Sequence, residues 1–556
     1  MVRTMQHGAV QVGFLVLLWA GTCLPNLGGA TLWDIDEPLN AQAAREMLAS
    51  GNWVVPTFNY ELRTAKPVLL YWLQAGAYAL CGVNETAARL PSALALLGTA
   101  LTVYALGRRM FDATTGLLAA AMLLTCVAGQ GAGHFANPDA VLLACTTVAL
   151  AFYWFAYQGH GAWLIGSAAA CGLAVLAKGP VGMVLPAAVV VAFLLWQRQP
   201  RRLFAPYLFE ASLAFVLIAA PWYILVAVET KGVWLRKFLL TENIDRLRTP
   251  MENHAGSPFY YLVVLCVGLV PWAVFLGPTV WHTWRQTRRT GEAETAATRF
   301  LACWAGVVLV VFSLASTKLP NYILPLYPAL ALLLARLVEQ WRTGAVTLPR
   351  WVMPLAMTSL GLIGVGVTVG MLVAGGLVPL AALRGRSYPG LIGFAWVGGV
   401  LLAAGGAGFW LARRDQRTAL VGVVGVAAAL FVAVTTAAAL PTLNPHKPSV
   451  ALAAALPADQ REQEIRLAAC DYFQPTLVFY TGREVTKLYG GGAGLHFLNG
   501  ALPSYVVVRG DTWEQIRRQA PAGARVLARC RDLYINQDVV LVANRPGAER
   551  QVASRH

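Results

Sequence analysis

Between residues 33 and 72 the chain gathers side chains able to do chemistry. Trp33-Asp-Ile-Asp-Glu-Pro38 supplies Asp34, Asp36 and Glu37, Arg63-Thr-Ala-Lys-Pro67 supplies Arg63 and Lys66, and Tyr71-Trp72 follow. Carboxylates followed by cations suit work on a phosphate-bearing molecule: the acid takes a proton and the cations hold the phosphate. Asp36 is the leading candidate base, with Glu37 beside it. A further acid, Asp139, stands in His134-Phe-Ala-Asn-Pro-Asp139. Asp36 and Asp139 both sit where a helix is expected to begin, so each serves equally well as a helix cap. Lys318 and Tyr322 open another candidate segment, Ser316–Pro328, where Lys318 can also simply snorkel to an interface. Pro325 and Pro328 predict a bent or broken helix there. His254 is a lone loop histidine, and no ligand spacing marks a metal site.

The elements that must position these groups are membrane helices. Of 556 residues, 57% are hydrophobic and only 13% charged, about half the charge of a soluble domain. Apolar runs of about twenty residues recur along most of the chain. Thirteen spans are expected, near 8–27, 86–107, 113–131, 138–157, 161–178, 180–197, 207–228, 258–281, 299–315, 320–338, 351–376, 389–412 and 418–440. The net charge of +16 then reflects anionic lipid surfaces rather than nucleic acid. The nine cysteines mostly fall inside apolar runs and read as small core residues.

Arginines set the orientation. Arg108-Arg109, Arg198 with Arg201-Arg202, Arg285 with Arg288-Arg289, Arg342 with Arg350, and Arg413-Arg414 with Arg417 occupy alternate connections, which predicts a cytoplasmic face. Segments 28–85, 130–137, 229–257, 316–320, 377–388 and everything after 440 then face outward. That outer set holds the acidic loop and, against the usual bias, many cations, among them Lys178 and Arg248.

After about residue 440 the charge density rises. Residues 464–470, 504–509, 524–528 and 539–543 read as strands, and 512–519 as a short helix capped by Asp511. Gly490–Gly494 reads as a flexible turn. The expected organisation is a membrane domain over 1–440, with its first outer loop at 28–85, and a small α/β domain over 441–556 in the extracytoplasmic space.

Several motifs in order carry a family resemblance: the Asp-Glu loop, Ala44-Arg-Glu-Met-Leu-Ala-Ser-Gly-Asn-Trp-Val-Val-Pro56, Lys66-Pro-x-x-x-Tyr-Trp72, Arg89-Leu-Pro-Ser92, Pro138-Asp139, Lys178-Gly-Pro180, Pro221-Trp222-Tyr223 and Lys318-x-x-x-Tyr322-Ile-Leu-Pro325. Together they resemble the bacterial ArnT-like and protein-O-mannosyltransferase-like membrane glycosyltransferases of the GT-C superfamily. The resemblance covers nearly the whole membrane region. It implies a polytopic helical enzyme that takes a sugar from undecaprenyl phosphate, with inversion, and passes it to an envelope acceptor such as lipid A in lipopolysaccharide biosynthesis. The sugar would be 4-amino-4-deoxy-L-arabinose or another pentose or hexose.

By that resemblance Asp36 and Asp139 are the acidic residues of the cavity, Lys66 is the leading phosphate ligand and Arg248 a second one, and Tyr322 belongs to the wall; Arg63, Lys318 and Tyr71 complete the expected substrate-binding set. No cofactor is required beyond the lipid-linked donor, metal dependence is left open, and a monomer in the inner membrane is expected, with its site on the periplasmic side. Three places depart from the family pattern. Leu39-Asn40 stand where Arg-Tyr is usual, Ala65 where a Glu precedes Lys-Pro, and Glu242-Asn243 where a Glu-His pair is usual. An O-antigen ligase or polymerase is the nearer rival reading. A secondary transporter is the remoter one, because it should show internal repeats and midplane charges.

Overall fold

The computed structural model describes residues 2–204, 206–245, 256–257, 259–289, 293–378, 383, 385–457 and 465–545. Its helices, in chain order, are α1 (Val2–Cys23), α2 (Asp36–Ser50), α3 (Leu69–Cys81), α4 (Glu85–Met110), α5 (Ala113–Leu124), α6 (Val127–His134), α7 (Pro138–Tyr157), α8 (Trp163–Lys178), α9 (Val181–Trp196), α10 (Leu208–Glu229), α11 (Val233–Leu239), α12 (Tyr260–Gly268), α13 (Leu276–Thr287), α14 (Ala293–Leu314), α15 (Tyr327–Arg342), α16 (Val352–Ala374), α17 (Trp396–Arg413), α18 (Arg417–Val434), α19 (Pro448–Ala454), α20 (Pro475–Thr481), α21 (Gly491–Leu498) and α22 (Gly510–Ile516). Among the described residues eight helical stretches are long and apolar enough to cross a membrane, or ten if two bent pairs each count once.

The bent pairs correct two expected spans. The stretch expected at 113–131 is α5 followed by α6, turned by 62°. Residues 130–137, expected as an outer loop, therefore largely belong to the buried helix α6. The stretch expected at 258–281 is α12, then a single-turn break, then α13 turned by 115°. Pro271 lacks the amide a continuous helix would need there. The broken helix expected at Pro325 is present: Pro320–Leu326 is a 3-10 segment that leads into α15.

Caps explain several helix starts. Asn84 accepts from the Ala87 amide (2.8 Å) and Asp112 from the Thr115 amide (2.8 Å). Where helices meet in the apolar layer, small residues allow close approach. A Cβ on Gly364 of α16 would lie 2.4 Å from the Gly398 carbonyl oxygen of α17, so nothing larger fits without parting the pair.

Segment 28–85, expected as an outer loop with a helix from Glu37-Pro38 through residues 41–48, is largely ordered structure. It holds α2, a two-stranded ribbon of β1 (Thr57–Phe58) and β2 (Glu61–Leu62), and α3. The buried Glu46 carboxylate ties this segment together, accepting from the Thr57 hydroxyl (2.7 Å) and the Asn59 amide (2.8 Å).

The last part of the chain forms a five-stranded sheet from β3 (Arg466–Cys470), β4 (Thr486–Leu488), β5 (Ser504–Arg509), β6 (Arg525–Arg531) and β7 (Asp538–Ala543). Its order is β4-β3-β5-β7-β6, with β3 parallel to β4 and β5, and β7 antiparallel to β5 and β6. Alternation sends Leu467, Tyr505, Val507, Val539 and Leu541 to one face, where they pack on α19, α20 and Phe58 of β1. Ala468, Val506, Val508, Val540 and Val542 go to the other, under Phe497 and Trp513. Gly490–Gly494, expected as a flexible turn, opens α21 instead, because Phe497 and Leu498 give that stretch an apolar face to bury. Asp511 lies inside the first turn of α22 rather than capping it.

Candidate active site

The acidic loop is fixed before it reaches Asp36. Helix α2 begins at Asp36 itself, with Ile35 at the cap position and no side-chain cap, so Asp36 is not the cap residue. Its carboxylate is exposed. Glu37, one residue on, is fully buried and bound to the Nε and Nη2 donors of Arg89 (2.9 and 2.8 Å). The same carboxylate accepts from the Ala136 amide (2.7 Å) and the Trp33 amide (2.8 Å). Arg89 gives its remaining donors to the Leu27, Ala30 and Thr31 carbonyls. Glu37 thus holds the start of α2 against the turn before α7, and the structure gives it no opening to substrate. Breaking such a buried pair from one side costs about 3–5 kcal/mol.

Asn137 caps α7, which frees Asp139 from the capping role. The buried Asp139 pairs with Lys178, at the end of α8, and accepts from Asn321 (2.6 Å). The Lys178 ammonium also lies 4.9 Å from the centre of the Tyr322 ring. Three segments far apart in sequence thus meet: the first turn of α7, the Lys178-Gly-Pro180 corner and the 3-10 segment before α15.

Beside them opens a cavity of about 500 Å³, lined by Lys66, Lys178, Tyr322, Glu242 and Asn243 with an apolar wall that includes Leu142, Val184 and Phe312. Ala65 lines it too, so two of the three departures from the family pattern, Ala65 and Glu242-Asn243, face this cavity. Asn40, from the third departure, donates to the Ala136 carbonyl (3.2 Å) and accepts from Arg63 (3.1 Å).

Other expected residues have different surroundings. Arg63 donates to the buried Tyr71 hydroxyl (2.9 Å), and its carbonyl accepts from the Trp234 indole (2.9 Å). This network braces the segment just before Lys66. The Lys318 ammonium is spent on the end of α14, donating to the Ser313 (2.7 Å) and Ala315 (3.0 Å) carbonyls. None of Arg63, Tyr71, Lys318 and Asp36 is among the residues lining the cavity. Arg248 and His254 lie outside the described residues. Sequence reasoning noticed Lys178 as an outer cation and as part of the Lys178-Gly-Pro180 motif without giving it a place in the site, and it did not pick out Asn321. A lysine next to Gly-Pro, at the end of an apolar run, was the available signal.

The loop ahead of Asp36 is also held from the far end of the chain. The Thr476 amide donates to Asp34 (3.0 Å), and its hydroxyl donates to the other carboxylate oxygen. The Tyr534 hydroxyl accepts from the Asp34 amide (3.0 Å), the Tyr480 hydroxyl from the Leu32 amide (2.8 Å) and Asn444 from the Thr31 amide (2.9 Å). Lys447 donates to the Thr31 carbonyl (2.8 Å) and lies 3.3 Å above the Trp33 ring. Burial pushes the Asp34 carboxyl up to about 7, against the pull of the Thr476 bonds, and pushes the Lys447 ammonium down to about 7.

This architecture agrees with what the chain is similar to. Residues 65–224 match the dolichyl-phosphate-mannose-protein mannosyltransferase family model. An undecaprenyl phosphate-alpha-4-amino-4-deoxy-L-arabinose arabinosyl transferase of Edwardsiella ictaluri is 30% identical over 451 residues, 79% of this chain and 78% of that protein. The protein of the same name from Erwinia tasmaniensis is 34% identical over 313 residues, and the match spans 55% of each. In fold, the chain is similar to ArnT from Cupriavidus metallidurans bound to undecaprenyl phosphate, with a TM-score of 0.79, 24% identity, and 97% and 98% of the two chains covered. The family match, the relatives and the fold together put the chain in the class of ArnT-like membrane proteins of the GT-C type. Within that class the chain belongs to the arabinosyl transferase family of the Edwardsiella and Erwinia proteins.

Proposed function

We propose that this chain moves a sugar, 4-amino-4-deoxy-L-arabinose or a close relative, from undecaprenyl phosphate to an envelope acceptor such as lipid A. The observation that carries the reading is the cavity itself. It sets two lysines, Lys66 and Lys178, against an apolar wall, as a lipid phosphate with a polyprenyl tail requires. In the proposed reaction an acceptor oxygen attacks the anomeric carbon and the bond from that carbon to the phosphate oxygen breaks. The electron pair leaves with undecaprenyl phosphate, whose growing charge is met by Lys66 and Lys178. Asp139 holds Lys178 in place, and Asn321 holds Asp139.

Asp36, exposed at the first turn of α2, takes the acceptor hydroxyl proton, or orients the acceptor if that is itself a phosphate. The sugar–phosphate bond is already activated, so the reading invokes no metal or cofactor.

We read thirteen spans: the eight long stretches, the two bent pairs, and α1, α8 and α9. On that reading residues 441–556 are an α/β domain on the outer side of the inner membrane, together with the site. We read the protein as a monomer.

Asp36→Asn keeps the size of the side chain and removes its charge. Turnover is expected to fall by about a hundredfold or more while undecaprenyl phosphate still binds. Near-normal turnover would remove Asp36 from the reaction. Mass spectrometry of lipid A and envelope glycans, with and without the gene, tests sugar and acceptor together.

A further inference from the structure

A second cavity, of about 780 Å³, opens on the opposite face of the helical layer. Helices α9 and α10 both pack on α8 but scarcely touch each other, although they are consecutive. The gap between them is the cavity. Cys171 of α8 forms part of its floor, with Met183 and Val190 of α9 and Phe215 and Val216 of α10 along its sides. The polar groups on this wall need nothing from a ligand: Ser167 donates to the Ala149 carbonyl (2.8 Å) and Ser212 to the Leu208 carbonyl (2.8 Å).

The mouth has a different character. Arg201 and Arg202 line it, with Tyr157 and Phe204. Arg202 lies 4.5 Å from the Tyr157 ring centre and donates to the Tyr157 carbonyl (3.1 Å). Neither arginine has an ion pair with a described residue, and no acidic residue lines the cavity.

This mouth lies at the α7–α8 and α9–α10 connections, whereas Lys178 sits at the other end of α8. Sixteen residues of α8 separate the two, roughly 24 Å at 1.5 Å per residue. From Met183 to the end of α9 the groove runs roughly 20 Å. One leaflet of a ~30 Å hydrocarbon core is roughly 15 Å deep, so an acyl tail entering at the mouth fills most of the groove.

We propose that the groove between α9 and α10 is a binding site for one anionic glycerophospholipid of the leaflet opposite the catalytic cavity. The headgroup phosphate sits on Arg201 and Arg202, and an acyl chain lies along α8. Charge complementarity at the mouth selects this occupant over a neutral lipid. The inference does not depend on the sugar-transfer reading.

The probe is phosphatidylglycerol. The protein is reconstituted in phosphatidylcholine nanodiscs containing phosphatidylglycerol, and retained lipid is read by native mass spectrometry. The wild-type protein is expected to keep phosphatidylglycerol in preference to phosphatidylcholine. Arg201→Ala with Arg202→Ala should lower that preference roughly twenty-five-fold, at about fivefold per surface arginine. Ser212→Trp, at an exposed position on α10, fills the groove without touching the arginines and should displace the lipid while the melting temperature holds. An unchanged preference in both variants overturns the proposal. So does finding that undecaprenyl phosphate, rather than phosphatidylglycerol, is the lipid lost from the Ser212→Trp variant.

Discussion

Lys66 is followed by Pro67, whose ring keeps the preceding residue extended and lets the lysine project into the cavity. A charge-assisted bond to phosphate there is worth about 1.5–3 kcal/mol. Lys66→Ala is therefore expected to weaken undecaprenyl phosphate binding by roughly ten- to a hundredfold, and Lys66→Arg to retain part of it. Equal affinity in titrations of wild type and Lys66→Ala would remove the residue from the site. Asp34 gives a second test. A carboxyl raised from 3.8 to about 7 favours the neutral form in the fold, so its contribution is complete below about pH 4 and is lost as pH rises through 7. Asp34→Asn holds the group neutral, and the Thr476 hydroxyl can turn to accept from the new amide. Melting midpoints of the variant should change less than those of wild type between pH 4 and 7. Lys447, lowered to about 7, acts in the separate window between 7 and 10.5, where its contribution grows with pH. A parallel wild-type and variant profile would count against the buried-carboxyl account. Asp36, Asp139, Lys66 and Tyr322 stood out in the sequence because polar side chains at the ends of apolar runs need a reason. The pairing of Asp139 with Lys178 and Asn321 did not, because it joins residues 39 and 182 positions apart.

At the scale of elements, the first turn of α2 is held on two sides: by the Glu37–Arg89 pair beneath it and by α19, α20 and the Tyr534 turn ahead of it. Thr476→Val removes the hydroxyl bond to Asp34 with little change in volume. It should lower turnover several-fold and leave donor binding near its original value, because the donor cavity lies elsewhere. Loss of donor affinity in step with turnover would mean that the substitution unfolds the loop rather than misplacing Asp36. Element types were readable where one period dominated. Strand β5 falls at 504–509, as its run of apolar and β-branched residues predicts. The apolar runs announced helices but not their interruptions, because a twenty-residue window averages over the breaks at 125–126 and 269–271. Helix α3 escaped notice inside a segment read as loop, its thirteen residues being too few for a span. Arg89 looked like a motif residue, and nothing local showed that it would be swallowed by five acceptors.

For the whole molecule the orientation of the layers is the testable quantity. An alkaline phosphatase fused after the C-terminus should be active, and one fused after Arg289 inactive, since only the outer compartment supports its folding. The reverse pattern would invert the placement of the site. The alternation of basic connections along the chain is what predicts this arrangement. Contacts that join the two ends of the chain were not readable, because bonds such as Thr476 to Asp34 span 442 positions. Those contacts have a consequence for protein engineering and for descent. The C-terminal portion is not a portable module. Grafting it between relatives would bring foreign partners to Thr31, Leu32, Trp33 and Asp34, so working chimeras should need both ends of the chain from one parent. Over time, substitutions at 31–34 should be matched by substitutions at 444–480 and 534.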